Sequence, residues 1–93
     1  MLYILNKPVL ESVRQLAVIG KDDDEKAVLL VSDGVFLSTE AMFKRFEEIG
    51  VDDVFAAEDA LEARNIEAAD DVEVMDYDDM AALLEEHDKI ITL

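Results

Sequence analysis

Ninety-three residues suit one domain, so residues 1–93 are expected to form a single unit with its own core. The chain contains no cysteine, which excludes disulfides, thiolate metal sites and a persulfide carried on this polypeptide. Twenty-four acids against eight bases give a net charge of −16, which repels duplex DNA and exposed RNA backbone, so direct nucleic-acid binding is not expected. No apolar run approaches a membrane span and no basic stretch precedes an apolar one at the start, so a cytoplasmic protein without membrane contact is expected.

Met1–Leu5 (MLYIL) is a short apolar run with an aromatic and reads as a strand. Pro8 suits the first turn of a helix, where its missing N–H costs nothing, and Val9, Val13, Leu16 and Ala17 then fall at helical spacing. Gly20 and Asp22–Asp24 stop that helix. Ala27–Val31 (AVLLV) is continuous rather than alternating, the pattern of a strand covered on both faces in a parallel sheet. It ends at Ser32-Asp33-Gly34, where glycine suits a tight turn. Ser38 or Thr39 can cap the next helix, whose inner stripe is Met42, Phe43, Phe46 and Ile49 and whose end is Gly50.

Val54–Ala57 is a third strand and Glu58–Arg64 a two-turn helix around Leu61. Asn65 suits the left-handed position that closes it. Val72–Met75 is a fourth, weak strand. Asp76 caps the last helix and Asp79 stands at its third position, an acidic variant of the capping box. Met80, Ala81 and Leu84 make that helix's stripe, and Lys89–Leu93 forms a fifth strand. Strands alternate with helices over short connections, which predicts an α/β fold with a parallel sheet and helices on both faces.

In such a sheet ligands bind outside the carboxyl ends of the strands, an edge that here presents Asn6, Ser32, Asp33, Gly34, Glu58, Asp59, Asp76 and Tyr77. The residues offer little chemistry. The three glycines, at 20, 34 and 50, form neither a dinucleotide fingerprint nor a phosphate loop. Asp33 follows a buried strand as a phosphoacceptor would, but position 6 is asparagine and no lysine follows the final strand. Its expected role is to fix the turn through backbone N–H groups. Counting a calcium loop from Asp22 puts Ala27 where glycine is needed and Asp33 where glutamate is needed. His87, the single histidine, has no cysteine or second histidine to share zinc with, and suits the negative end of the last helix instead. No catalytic residue, cofactor or metal site is expected.

Three stretches and their order carry a family resemblance. They are M-L-Y-I-L-N-K-P at the start, A-V-L-L-V-S-D-G-V-F over 27–36, and A-A-E-D-A-L-E-A-R-N-I over 56–66 followed by V-M-D-Y-D-D-M over 74–80. Together they resemble the TusB/DsrH family, the short subunits of sulfur-relay complexes that also contain DsrE- and DsrF-like chains. Asn65 stands where the family usually has glycine, a mild departure because both accept positive φ. Asp22–Glu25 lengthens the turn before the second strand. The resemblance implies a three-layer α/β/α, DsrEFH-like domain with a five-stranded parallel sheet in the order 4-3-2-1-5. It also implies a place in a complex that passes persulfide sulfur, in the bacterial tRNA pathway toward 2-thiouridine at the wobble position, or in sulfur oxidisers from the oxidation of sulfur compounds. Some DsrH-type members carry a cysteine in the N-terminal half; otherwise the family's catalytic cysteine belongs to a partner subunit.

The resulting expectation is a non-catalytic structural subunit whose partners are DsrE/DsrF-like (TusD/TusC-like) chains or further copies of itself. Its partner contacts are expected from the turn Asp33, Gly34, Val35 and Phe36, from Phe43, which competes with Phe46 and Met42 for inner space, and from Glu58 and Asp59. The alternative is a stand-alone acidic, homo-oligomeric binding or regulatory domain; an enzyme working through carboxylates is the weakest reading.

The charge is uneven: residues 1–50 carry nine acids and six bases, residues 51–93 fifteen acids and two bases. Like charges so concentrated repel one another until salt screens them. The melting temperature is therefore expected to rise between about 0.05 M and 1 M salt. A thermal scan that is flat across that range refutes the self-repulsion.

Overall fold

The computed structural model describes residues 1–93. Its elements alternate along the chain: β1 (Leu2–Leu5), α1 (Leu10–Ile19), β2 (Lys26–Leu30), a 3₁₀ segment (Ser32–Ser38), α2 (Glu40–Glu48), β3 (Val51–Ala57), α3 (Glu58–Ala63), β4 (Glu73–Met75), α4 (Tyr77–Glu86) and β5 (Ile90–Thr92). All strands run parallel in one five-stranded sheet ordered β4-β3-β2-β1-β5, the order the resemblance implies. β1 lies inside the sheet, in register with β2 (Leu2 beside Ala27) and with β5 (Leu2 beside Ile90), and Leu2, Tyr3 and Leu5 are fully buried.

Strand alternation divides the core in two. Tyr3, Leu5, Val28, Leu30, Val54 and Ala56 point to one face, where α1 contributes Val13 and Leu16, α2 Phe46, the 3₁₀ segment Val35 and Leu37, and α3 Leu61. Leu2, Ala27, Leu29, Phe55 and Met75 point to the other, where α4 contributes Leu83 with Met80 beside it. Met42, Phe43 and Ile49 pack against the first cluster, so the α2 stripe faces inward as its spacing predicts, with Phe46 the deepest.

Several local features depart from the sequence pattern. Val9 is the N-cap of α1, so Pro8 stands just outside the helix rather than in its first turn, and Val9 is exposed. Thr39 takes the N-cap position of α2 but its side chain makes no capping bond, while the Ser38 hydroxyl donates to the Val35 carbonyl at 2.6 Å. β3 starts three residues early: Asp52 sits at an irregularity in the β2–β3 register, and its carboxylate accepts the Lys26 amide at 3.1 Å. A strand edge bearing Val-Asp-Asp reads as a turn until that bond is seen. On α4 the inner residue is Leu83, paired with Met80 three positions back, while Ala81 and Leu84 are exposed. The Asp76/Asp79 capping box forms in both directions, and Asn65 takes φ +51 at the end of α3.

The amino edge of the sheet is closed by one polar cluster. The Tyr3 hydroxyl donates to Asp23 Oδ2 at 3.1 Å, the Glu25 amide donates to Asp23 Oδ1 at 3.2 Å, and the terminal ammonium lies 3.4 Å from Asp23. Burial, then the bond and the charge of Asp23, push the Tyr3 phenol up to about 12. Burial alone would raise the Asp23 carboxyl, but its bonds from Glu25 and Tyr3 and the neighbouring ammonium outweigh that and hold it below its ordinary value.

The raised phenol contributes stability that is fully present below its unfolded pKa of 10.0 and lost as pH climbs toward about 12. The depressed carboxyl contributes stability that is lost as pH falls below its unfolded value of 3.8. Tyr3→Phe should cost about 1–2 kcal/mol at neutral pH. In urea titrations, the gap between wild type and Y3F should stay constant up to pH 10 and close above it. A gap independent of pH up to 12 would show that the hydroxyl is not coupled to folding in this way.

Candidate functional site

At the carboxyl edge of the sheet the chain leaves β2 and turns back over β1. The Val31 N–H donates to the Leu5 carbonyl at 3.1 Å, Ser32 takes φ +50, and the Gly34 N–H donates to the Val31 carbonyl at 2.9 Å. The positive φ thus falls on Ser32, not on Gly34. Glycine is required at 34 for a different reason: a Cβ there would overlap the Leu5 carbonyl oxygen. The 3₁₀ segment meets the end of β1 at Gly34 and runs on beside β3, α2 and α3, burying Val35 and Leu37 in the core and turning Phe36, between them, outward at 45% exposure. Ser38 anchors its far end, accepting the Ala69 N–H on its carbonyl at 2.8 Å.

α3 follows β3 directly and supplies the other wall. Arg64, at its C-cap, donates from Nε to Asp33 Oδ1 at 2.9 Å and from a terminal nitrogen to the Ala60 carbonyl at 3.2 Å. Asp33 therefore fixes the turn through a cation on the neighbouring element, not through its own backbone. Between these walls lies an open cleft of about 300 Å³ with a floor of Val31, Ala57 and Met80 and a rim of Ser32, Asp59 and Arg64. The Asp59 carboxylate accepts the Ala60 amide at 2.8 Å.

The residues singled out from sequence separate into groups. Asp33, Phe36 and Asp59 are exposed at this edge. Gly34 and Val35 are buried, so Val35 offers no side chain to a partner, and Phe43 packs partly against the core. Glu58 lies on the other side of α3, lining a separate groove. His87 lies at the opposite edge, beside Met1 and Asp52.

Sequence reasoning missed Arg64 as the partner of Asp33. Its signal was available, because Arg64 and Lys89 are the only two bases among residues 51–93. The strain at Ser32 had no such signal, since the glycine two residues later drew the turn reading to itself. As built, the cleft presents a hydroxyl, a neutralised guanidinium, a locally bonded carboxylate and an apolar floor.

The model of the DsrH-like proteins ("DsrH like protein") matches residues 9–90. The chain belongs to the DsrH-like family. No curated protein matches it significantly. Membership makes this a sulfur-relay type of subunit, and this chain contains no cysteine. No helix is long and apolar enough to cross a membrane.

Gly34→Ala forces a methyl group into a backbone carbonyl that is itself fixed in the interior strand. The variant is expected to lose about 3 kcal/mol or more, at the upper end of what overpacking costs. The midpoint of urea unfolding reads this directly; a loss below about 0.5 kcal/mol would mean that the segment lifts off β1 freely.

Proposed function

We propose that this chain is a non-catalytic, structural subunit of a cytoplasmic sulfur-relay complex that supports 2-thiolation of the tRNA wobble uridine. The observation that carries the reading is the carboxyl edge: where an α/β sheet presents its reactive groups, this chain has an ion pair and an apolar surface, and no thiol anywhere. Reversible sulfur–sulfur exchange needs a thiolate, which hydroxyls and carboxylates do not replace. The transferred sulfur then sits on a cysteine-bearing partner subunit, and this subunit holds that partner in place.

The contact runs through the segment fixed on β1. Phe36 is the aromatic anchor, because it is exposed while Val35 and Leu37 on either side hold its backbone in the core. Asp33 and Asp59 flank it as polar rim. Gly34 and Val35 act from beneath by shaping the segment, and Phe43 supports it from α2. The strong negative charge argues against direct contact with tRNA, so RNA is met by another subunit.

Co-expression with DsrE- and DsrF-like chains, followed by sulfur transfer from a persulfide donor, tests the reading. A stable complex whose transfer rate falls at least about tenfold without this subunit is the expected result. Phe36→Asp should abolish co-purification while changing the stability of the isolated chain by less than about 0.5 kcal/mol, as exposed substitutions do. A cysteine-bearing partner that assembles and transfers sulfur equally well alone would overturn the structural role.

A further inference from the structure

Across α3 from the cleft, at the β4 edge of the sheet, lies a second concavity of about 510 Å³. Its floor is apolar: Leu61, Ile66, Val72 and Val74 line it, with Val74 44% exposed on the outermost strand. Beside Asn65, every charged residue on its rim is acidic. Glu58 and Glu62 stand one helical turn apart on α3, Glu67 and Asp70 stand on the connection that follows, and no lysine or arginine lines the groove.

The wall is fixed rather than loose. The Ile66 amide donates to the Leu61 carbonyl at 3.0 Å, Asn65 closes α3 at φ +51, the Ala69 amide is tied to Ser38 at 2.8 Å and the Val72 amide to Ala69 at 3.0 Å. A preformed apolar trough avoids much of the ordering cost of binding. β4 is also an edge strand, so its outward backbone groups have no strand to pair with.

We infer that this groove is a docking site for a basic, apolar peptide segment of a partner protein, held by alternating lysine or arginine side chains on the acidic rim and aliphatic side chains on the floor. Charge complementarity selects that occupant. An acidic segment is repelled by four carboxylates, a purely apolar one leaves them without counter-charge, and nucleic acid is excluded by the same rim. The inference stands apart from the sulfur-relay reading, because it concerns a different surface and holds whether or not the cleft meets a persulfide-bearing subunit.

The probe is a short fluorescein-labelled peptide alternating lysine and valine, titrated with the full chain by fluorescence anisotropy at about 0.15 M salt. A matched peptide alternating lysine and serine serves as the charge control. Binding is expected to weaken at least about tenfold in the double variant Glu62→Lys/Glu67→Lys and in Val74→Asp, and for the serine peptide. It should change by no more than about twofold in Glu47→Lys/Glu85→Lys, which makes the same charge change outside the groove. Circular dichroism confirms that each variant is folded before it is compared. Equal weakening by the two charge-reversed pairs, or equal affinity for the two peptides, means general attraction to an acidic surface and overturns the proposal. Light scattering on the same proteins reads the other occupant: self-association that disappears in E62K/E67K puts a second copy in the groove, and also overturns it.

Discussion

The backbone of Gly34 rests directly on the carbonyl of Leu5, closer than any side chain would permit. That approach, with the Val31 amide bonded to the same carbonyl, pins the chain to the end of an interior strand as it leaves β2. The arrangement of the carboxyl edge depends on it. With residue 34 held there, Val35 and Leu37 fall into the core, Phe36 must point out, and Asp33 comes within 2.9 Å of Arg64. The left-handed geometry of Ser32, which an L-residue adopts only at some cost, is sustained by the contacts on either side of it.

The two ends of the sheet solve the same problem by opposite means. At the amino end, a buried phenol and a carboxylate close the edge with hydrogen bonds, and Asp23, which reads as part of a solvated acidic run, is a structural acceptor. At the carboxyl end closure is steric and partly ionic. An exposed pair such as Asp33–Arg64 contributes little to global stability, on the order of 1 kcal/mol or less. Its effect is local, setting the distance between the 3₁₀ segment and α3 and so the width of the cleft. Stability and site geometry thus rest on different residues, and a substitution at Arg64 can alter the cleft without unfolding the sheet.

Much of the architecture was legible because it rests on local rules that agree. The continuous run Ala27–Leu30 announces an interior parallel strand, Asp76 and Asp79 announce a capped helix, and Asn65 takes the left-handed closure its type favours. The strand order came from the family resemblance, not from periodicity. What was not legible depends on pairs distant in sequence. Asp52 reaches the Lys26 amide across a strand register, Arg64 reaches Asp33 across a cleft, and Gly34 meets Leu5 through a close approach that no turn rule encodes. Leu83 rather than Leu84 turns inward because the sheet beneath α4, not the helix alone, decides which of two adjacent leucines is buried.

α3 is where these constraints meet. It has six residues, too few for a helix to persist unaided, so its position is set by tertiary contacts: Ala60 and Leu61 in the core, Asn65 at its end, and Arg64 on Asp33. Helical periodicity then divides its surface. Glu58 and Glu62, four apart, face the groove, while Asp59 and Ala63, also four apart, face the cleft with Arg64. Any segment docked in the groove and any subunit docked at the cleft would press on the same short helix, whose chief apolar anchor is Leu61. In a chain with no thiol to contribute, shape and charge on the two sides of that helix are what remains for a partner to recognise.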